Sequence, residues 1–278
     1  MFSPWYRWSG RRNPADHCCI NVVTYGRGGR WTMTDRGEAA LRLSPDEMRV
    51  GPSRMRWEGG RLIVDFDEAT LPHPGRLRGQ VVVEPSAITS VELPLAPDGS
   101  HVWRPFAPVS RVTVETDRKG WTWSGHGYFD ANFGIAALED DFRYWTWGRF
   151  PTGAETSTPG AVCFYDATRR DRSELGVGIL FDAQGNAQAI QPPPKAPFAR
   201  SLWAVRRETR ADAGYRPKQV KAMLDAPFYT RAAVRTKFAG EETVGVHEAL
   251  DLTRFASPWL KPMLAVKVPR RRGWRWDD

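Results

Sequence analysis

Short runs in which apolar and polar positions take turns dominate this chain. Residues 61–67 are the plainest: Leu62, Val64 and Phe66 fall on one face, and Ile63, Asp65 and Asp67 on the other. That period of two predicts a strand. Similar runs at 21–25, 80–84, 111–116, 121–129, 144–150, 161–166, 177–181, 202–209, 228–238 and 243–250 predict further strands. Turn chemistry separates them: Gly59-Gly60, Pro97-Asp98-Gly99 and Ala183-Gln184-Gly185-Asn186. Helical spacing is rare. Residues 45–50 suit a short turn. Leu252, Phe255, Ala256, Trp259, Leu260 and Met263 fit one helix, with Pro258 in a first-turn position. Residues 191–195, with three consecutive prolines, read as a stiff loop. Strands at this spacing predict an all-β protein of barrels or sandwiches.

The stretch WSGHGYFDANFG sharpens the question of chemistry. As a strand it places Trp121, Trp123, Phe129 and Phe133 on one face. Thr122, Ser124, His126, Tyr128, Asp130 and Asn132 share the other. Two readings fit that polar face. It is a wet outer surface, or it lines a cavity in which Asp130 acts. A carboxyl in an apolar cavity has its charged form disfavoured, keeps its proton closer to neutrality and can donate it.

Composition narrows the classes. The 278 residues suffice for a sizeable core, and 41% are hydrophobic, which excludes a disordered chain. Thirteen tryptophans and thirteen phenylalanines suit β structure and apolar ligand sites. A net charge of +8 favours an acidic partner, either nucleic acid or an anionic bilayer surface. Nucleic-acid binding rests on that charge alone. Cys18, Cys19 and Cys163 form no C-x-x-C pair, and so low a count fits a reducing compartment. No apolar run approaches the roughly 18 residues of a membrane span, and no signal peptide stands out. A soluble or peripheral cytoplasmic protein is the expectation.

Other candidates carry less. His101-Val-Trp103 places two side chains on one strand face, or reads as a surface loop before Arg104-Pro105. His17 beside Cys18 and Cys19 makes a poor chelate, because neighbours on a strand point apart. His247-Glu248 lacks a second histidine, so its pairing reads as structural. No metal site is expected. The phosphate loop, the dinucleotide fingerprint and the nucleophile elbow are all missing, and 26–29 reads as a hairpin turn. Trp8-Ser9-Gly10 before His17 echoes Trp123-Ser124-Gly125 before His126, by duplication or by chance. The tail 269–276 interleaves arginine with tryptophan, which suits a bilayer interface or a solvated terminus.

Six stretches together resemble the acyclic carotenoid hydratases, also called hydroxyneurosporene synthases. They are FSPWYRWSGRRNPADHCCINVVTYG, RWTMTDRG, WSGHGYFDANFG, DDFRYWTWGRF, DAPFYTRAAVRTKFAGEE and VHEALDLTRFASPWLKPML. The resemblance runs through nearly the whole chain in the family's order. It implies two tandem lipocalin-like β-barrels, placed here at 1–118 and 119–278. The family has more chain before the FSP stretch, so either the true start lies upstream or the first barrel is incomplete. The resemblance also implies addition of water to a terminal double bond of acyclic carotenoids such as neurosporene and lycopene. The product is a tertiary alcohol, and neither cofactor nor metal is needed.

The family's catalytic Asp and Tyr sit in a Y-x-D that matches Tyr128 and Asp130. Its supporting His and Trp sit in an H-x-W that matches His101 and Trp103. Alkene protonation needs a positioned acid, and Asp130 is the candidate. The resulting tertiary cation faces Trp103 and Tyr128, with Trp123 or Trp145 and His126 as further substrate contacts. A water oriented by His101 or Tyr128 then attacks. A carotenoid lives in the bilayer, so the basic surface and Arg/Trp tail imply peripheral docking on anionic lipid. Two alternatives stay open: an acid-driven isoprenoid cyclase or isomerase, and a lipid-binding barrel without turnover.

Overall fold

Alternating side chains and closely spaced turns fold this chain into antiparallel sheets. The computed structural model describes residues 10, 12–71, 73–153, 159–260 and 262. The described residues divide into two compact units. One is built from residues up to Pro85 together with Arg111–Gly127 and Pro262, the other from Ser86–Ser110 and residues 128–260.

In the first unit β1 (Leu41–Leu43), β2 (Glu47–Val50), β3 (Ser53–Glu58), β4 (Arg61–Ala69) and β5 (Arg76–Pro85) lie side by side in chain order. Gly59 and Gly60 close the β3–β4 hairpin with φ of 57° and 75°, the left-handed pair that a two-residue turn demands. Phe66, Ala69, Leu77 and Val83 supply the core. Within it lies a fully buried ion pair. Arg36 Nη1 and Nη2 donate to the two carboxylate oxygens of Glu68 at 3.1 and 3.0 Å, and Ser53 Oγ donates to Glu68 Oε1 at 2.5 Å. Gly51 turns beside it at φ 59°, where an added Cβ would collide with the Arg36 side chain. Gly51→Ala is therefore expected to cost about 1–3 kcal/mol from backbone strain alone. A denaturant titration should show the loss as a lower midpoint at unchanged slope.

The second unit follows the short β6 (Leu93–Pro94) and the long strands β7 (His101–Thr116) and β8 (Trp123–Gly134), both of which contribute residues to each unit. Its sheet contains β9 (Phe142–Thr152), β10 (Gly160–Arg169), β11 (Glu174–Phe181) and β12 (Ala187–Ile190). A hairpin of β13 (Lys195–Pro197) and β14 (Glu208–Arg210) precedes β15 (Lys218–Asp225), β16 (Tyr229–Phe238) and β17 (Glu241–Asp251). The strand order is β12-β11-β10-β9-β17-β16-β15. Phe150, Val162, Phe164, Ala232 and Val234 form a core on one face, with Phe198 and Phe238 against it. Arg210 braces this face by donating to both carboxylate oxygens of Asp166. The strands β9 and β10 are buried on both faces, as central strands are.

Three expectations are corrected. Among the described residues the sheets are open rather than closed into barrels, so β12 and β15 remain edges. The edge β15 carries Lys218 and Lys221 and two register shifts, features that keep a free edge from pairing. The turn expected at 45–50 is β2, because Ser44 and Asp46 complete the turn before it and Glu47–Val50 pairs with both neighbours. The expected helix at 252–263 is a single turn, Leu252–Phe255, capped by Asp251, and then a separate 3-10 turn, Pro258–Leu260. Met263 and the tail 269–276 lie outside the described residues.

Candidate active site

The site grows from two strands facing one side of the seven-stranded sheet, all within the second unit. On β7, Trp103 is 1% exposed. On β8, Tyr128 and Asp130 share a face by the two-residue period. Trp103 Nε1 donates to Asp130 Oδ2 at 2.8 Å. Burial pushes the Asp130 carboxyl up to about 6. The Trp103 hydrogen bond opposes that rise, the Glu248 carboxylate adds to it, and the Arg231 guanidinium opposes it.

Sheet register supplies the rest of the wall. Tyr165 on β10 lies opposite Trp147 on β9, Trp147 opposite Glu248 on β17, and Glu248 opposite Arg231 on β16. Directly paired residues point the same way, so these four side chains form a row across four strands. The Trp103 ring meets Tyr165 at 5.7 Å and Trp147 edge-on at 6.4 Å. Tyr128 lies 5.1 Å from Trp147, and Trp145 meets Tyr165 edge-on at 5.5 Å. Arg231 Nη2 donates to the Tyr128 hydroxyl at 2.8 Å, and its Nε lies 3.3 Å from Glu248 Oε1. Burial raises the phenols of Tyr128 and Tyr165 well above their ordinary range, so both carry their protons. Buried Arg149 donates Nε to the Pro108 carbonyl at 2.9 Å, and its own burial depresses its pKa.

Of the residues singled out by sequence, the structure brings together Asp130, Trp103, Tyr128 and Trp145. His101 is 3% exposed, and its hydrogen bond goes elsewhere: Nε2 lies 2.7 Å from Asp141 Oδ2, with the ring edge-on to Phe142. Ser100 Oγ donates to the same Asp141 oxygen. Trp123, 53% exposed, and His126, also exposed, belong to the first unit. His247 and Glu248 point to opposite faces. His247 is buried with Nε2 2.8 Å from the Glu208 carbonyl oxygen, and burial lowers its pKa to about 4. Among the described residues, no three His, Cys, Asp or Glu side chains converge to hold a metal.

Sequence reasoning missed Trp147, Tyr165 and Arg231, and read Glu248 only as structural beside His247. Trp147 alone had a local signal, two positions from Trp145 on the same strand face. The others join the site only through cross-strand pairing.

The arrangement sets a carboxyl of raised proton affinity against a wall of aromatic rings. The family description "Carotenoid hydratase CrtC" matches residues 1–277. The chain belongs to the CrtC carotenoid hydratase family. It is 62% identical over 275 residues to the acyclic carotenoid 1,2-hydratase of Cereibacter sphaeroides, covering 99% of this chain and 96% of that protein. The protein of the same name from Rhodobacter capsulatus is 56% identical, with 100% of this chain and 98% of its own covered. A solved Nitrosomonas europaea structure assigned to AttH aligns with TM-score 0.50 at 13% identity. It covers 77% of this chain and 72% of its own, and at that identity the likeness concerns the fold alone.

Proposed function

We propose that this protein adds water to the terminal trisubstituted double bond of acyclic carotenoids, neurosporene and lycopene among them, with Asp130 as the acid. The Trp103–Asp130 hydrogen bond within an aromatic wall carries the reading. Asp130 delivers its proton to the less substituted alkene carbon, leaving a tertiary cation. The faces of Trp103, Trp147 and Tyr165 stabilise it, by about 0.5–2 kcal/mol each. Water attacks the cation, and the resulting oxonium returns a proton to the Asp130 carboxylate. The carboxyl is restored without any cofactor. Tyr128 is placed to orient the water, and His101 fixes the start of β7 through Asp141. Trp123 and His126 stay proposed contacts for the distal substrate.

The pH profile tests the acid. The active form is protonated, so kcat/KM is expected to be flat below pH about 6 and to fall tenfold per unit above it. The charged and titratable groups around Asp130 include Glu248, Arg231, Tyr128, Tyr165 and Cys163. Trp103→Phe removes a donor that favours the carboxylate, so the descending limb should move to higher pH. A limb that stays in place would remove Trp103 from the tuning.

No helix among the described residues is long and apolar enough to cross a membrane. The net charge of +8 supports docking on anionic lipid. Deleting residues after Pro269 is expected to weaken co-sedimentation with phosphatidylglycerol vesicles. Unchanged partitioning would discard the tail as an anchor.

A further inference from the structure

We propose that Arg231, braced by Glu248, is a positioning residue that fixes the Tyr128 hydroxyl for the attacking water. This deepens the hydration reading and rests on it for the role of the water. The geometry stands on its own. Arg231 and Glu248 are directly paired across β16 and β17, on the site face. The guanidinium forms an ion pair with Glu248, Nε lying 3.3 Å from Oε1, and points Nη2 at the Tyr128 oxygen at 2.8 Å. Both side chains are partly buried, 29% and 20% exposed, so the pair is less screened than a surface bridge.

A phenol offers one proton and two lone pairs. Arg231 is a donor only and occupies one lone pair. The hydroxyl can no longer rotate to donate toward that side, and its proton turns to another acceptor. In the reaction that acceptor is the water, whose remaining lone pair then faces the cation. The cationic donor also polarises the O–H bond and strengthens its hydrogen bond to the water. An arginine is suited to this task because one edge of the planar fork can be clamped while another reaches out. The pair also limits the net charge beside Asp130, since Glu248 and Arg231 act on that carboxyl in opposite senses.

Two measurements test this. The first does not require turnover. In protein labelled with 13C at the tyrosine ring carbon bearing oxygen, the Tyr128 resonance is identified by its loss in Tyr128→Phe. Arg231→Gln should shift that resonance, Glu248→Gln should shift it less, and Arg231→Lys should restore it in part. A resonance unmoved by Arg231→Gln in a folded protein overturns the proposal. The second is a double-mutant cycle on turnover. Arg231→Gln is expected to lower kcat about tenfold or more in wild type, with KM changed less than about twofold, and to lower it less than about twofold in the Tyr128→Phe background. Additive losses would mean that Arg231 does not act through Tyr128. A wild type that makes no hydroxylated product would sink the hydration reading, and the resonance would still decide whether Arg231 positions the phenol.

Discussion

Asp130→Asn is expected to abolish hydration, with a loss of at least about 10³-fold in kcat. Asparagine is the informative replacement because it keeps an oxygen to accept the Trp103 N–H and removes only the transferable proton. Incubation with lycopene in liposomes made in oxygen-18 water reads the result. The wild type should yield labelled hydroxycarotenoid and the variant none. Near-normal turnover in the variant would discard Asp130 as the acid and keep the hydratase. Conversion to unlabelled rings or isomers would favour the cyclase or isomerase. Retained ligand without any conversion would favour a binding protein.

The same substitution should stabilise the fold, and the sign follows from burial. The folded-state pKa of about 6 lies above the ordinary carboxyl value of 3.8. The native state therefore binds the proton more tightly than the unfolded chain does. Burial of Asp130 costs nothing extra at pH below about 4, and its cost grows as pH rises and is complete above about 6. Asp130→Asn should raise the melting temperature at pH 8 and leave it unchanged at pH 4. Lost activity together with gained stability would mark a group kept for chemistry at the expense of the fold. Equal or lower stability at pH 8 would contradict the burial argument.

Glu68→Ala carries the largest expected effect on folding. It leaves the Arg36 guanidinium, fully buried on β4's inner side, without its bidentate partner. Breaking such a pair from one side costs about 3–5 kcal/mol, a large part of a domain's whole stability. Replacing both partners with apolar residues of similar volume should cost much less. Chemical denaturation of the single and double variants would separate the two. A Glu68→Ala loss below about 1 kcal/mol would show that water reaches the pair.

The extent to which this protein was legible in its sequence follows from where each signal resides. The β-rich architecture was readable because alternation and turn residues are local, as at Gly59-Gly60 and along β4. The polar face of β8 was readable for the same reason, but its setting was not. Trp123 and Phe133, on the opposite face, are both 53% exposed. Tyr128 and Asp130 are covered by the aromatic row of the seven-stranded sheet, while Ser124, His126 and Asn132 on the same face are exposed. Strand β15 escaped notice since its lysines hide the alternation. Barrel closure is a property of strand number and stagger, which no local pattern encodes. Arg231 and Glu248 are 17 residues apart in sequence and opposite each other in the sheet, a relation fixed by the hairpin that joins β16 to β17. Nothing in either residue's own neighbourhood announces a site.

The order in which the strands are synthesised gives the row across the sheet a further meaning. Trp103 leaves the ribosome first, Asp130 follows, and Glu248 comes 145 residues after Trp103 (248 − 103). At about 5–20 residues per second that interval is roughly 7–30 s. From the synthesis of Asp130 onward the acid exists in the nascent chain without the β16–β17 hairpin, and so without the Glu248 and Arg231 charges that adjust its proton affinity. A translation product released before β16 would hold Trp103 and Asp130 and still lack a tuned acid.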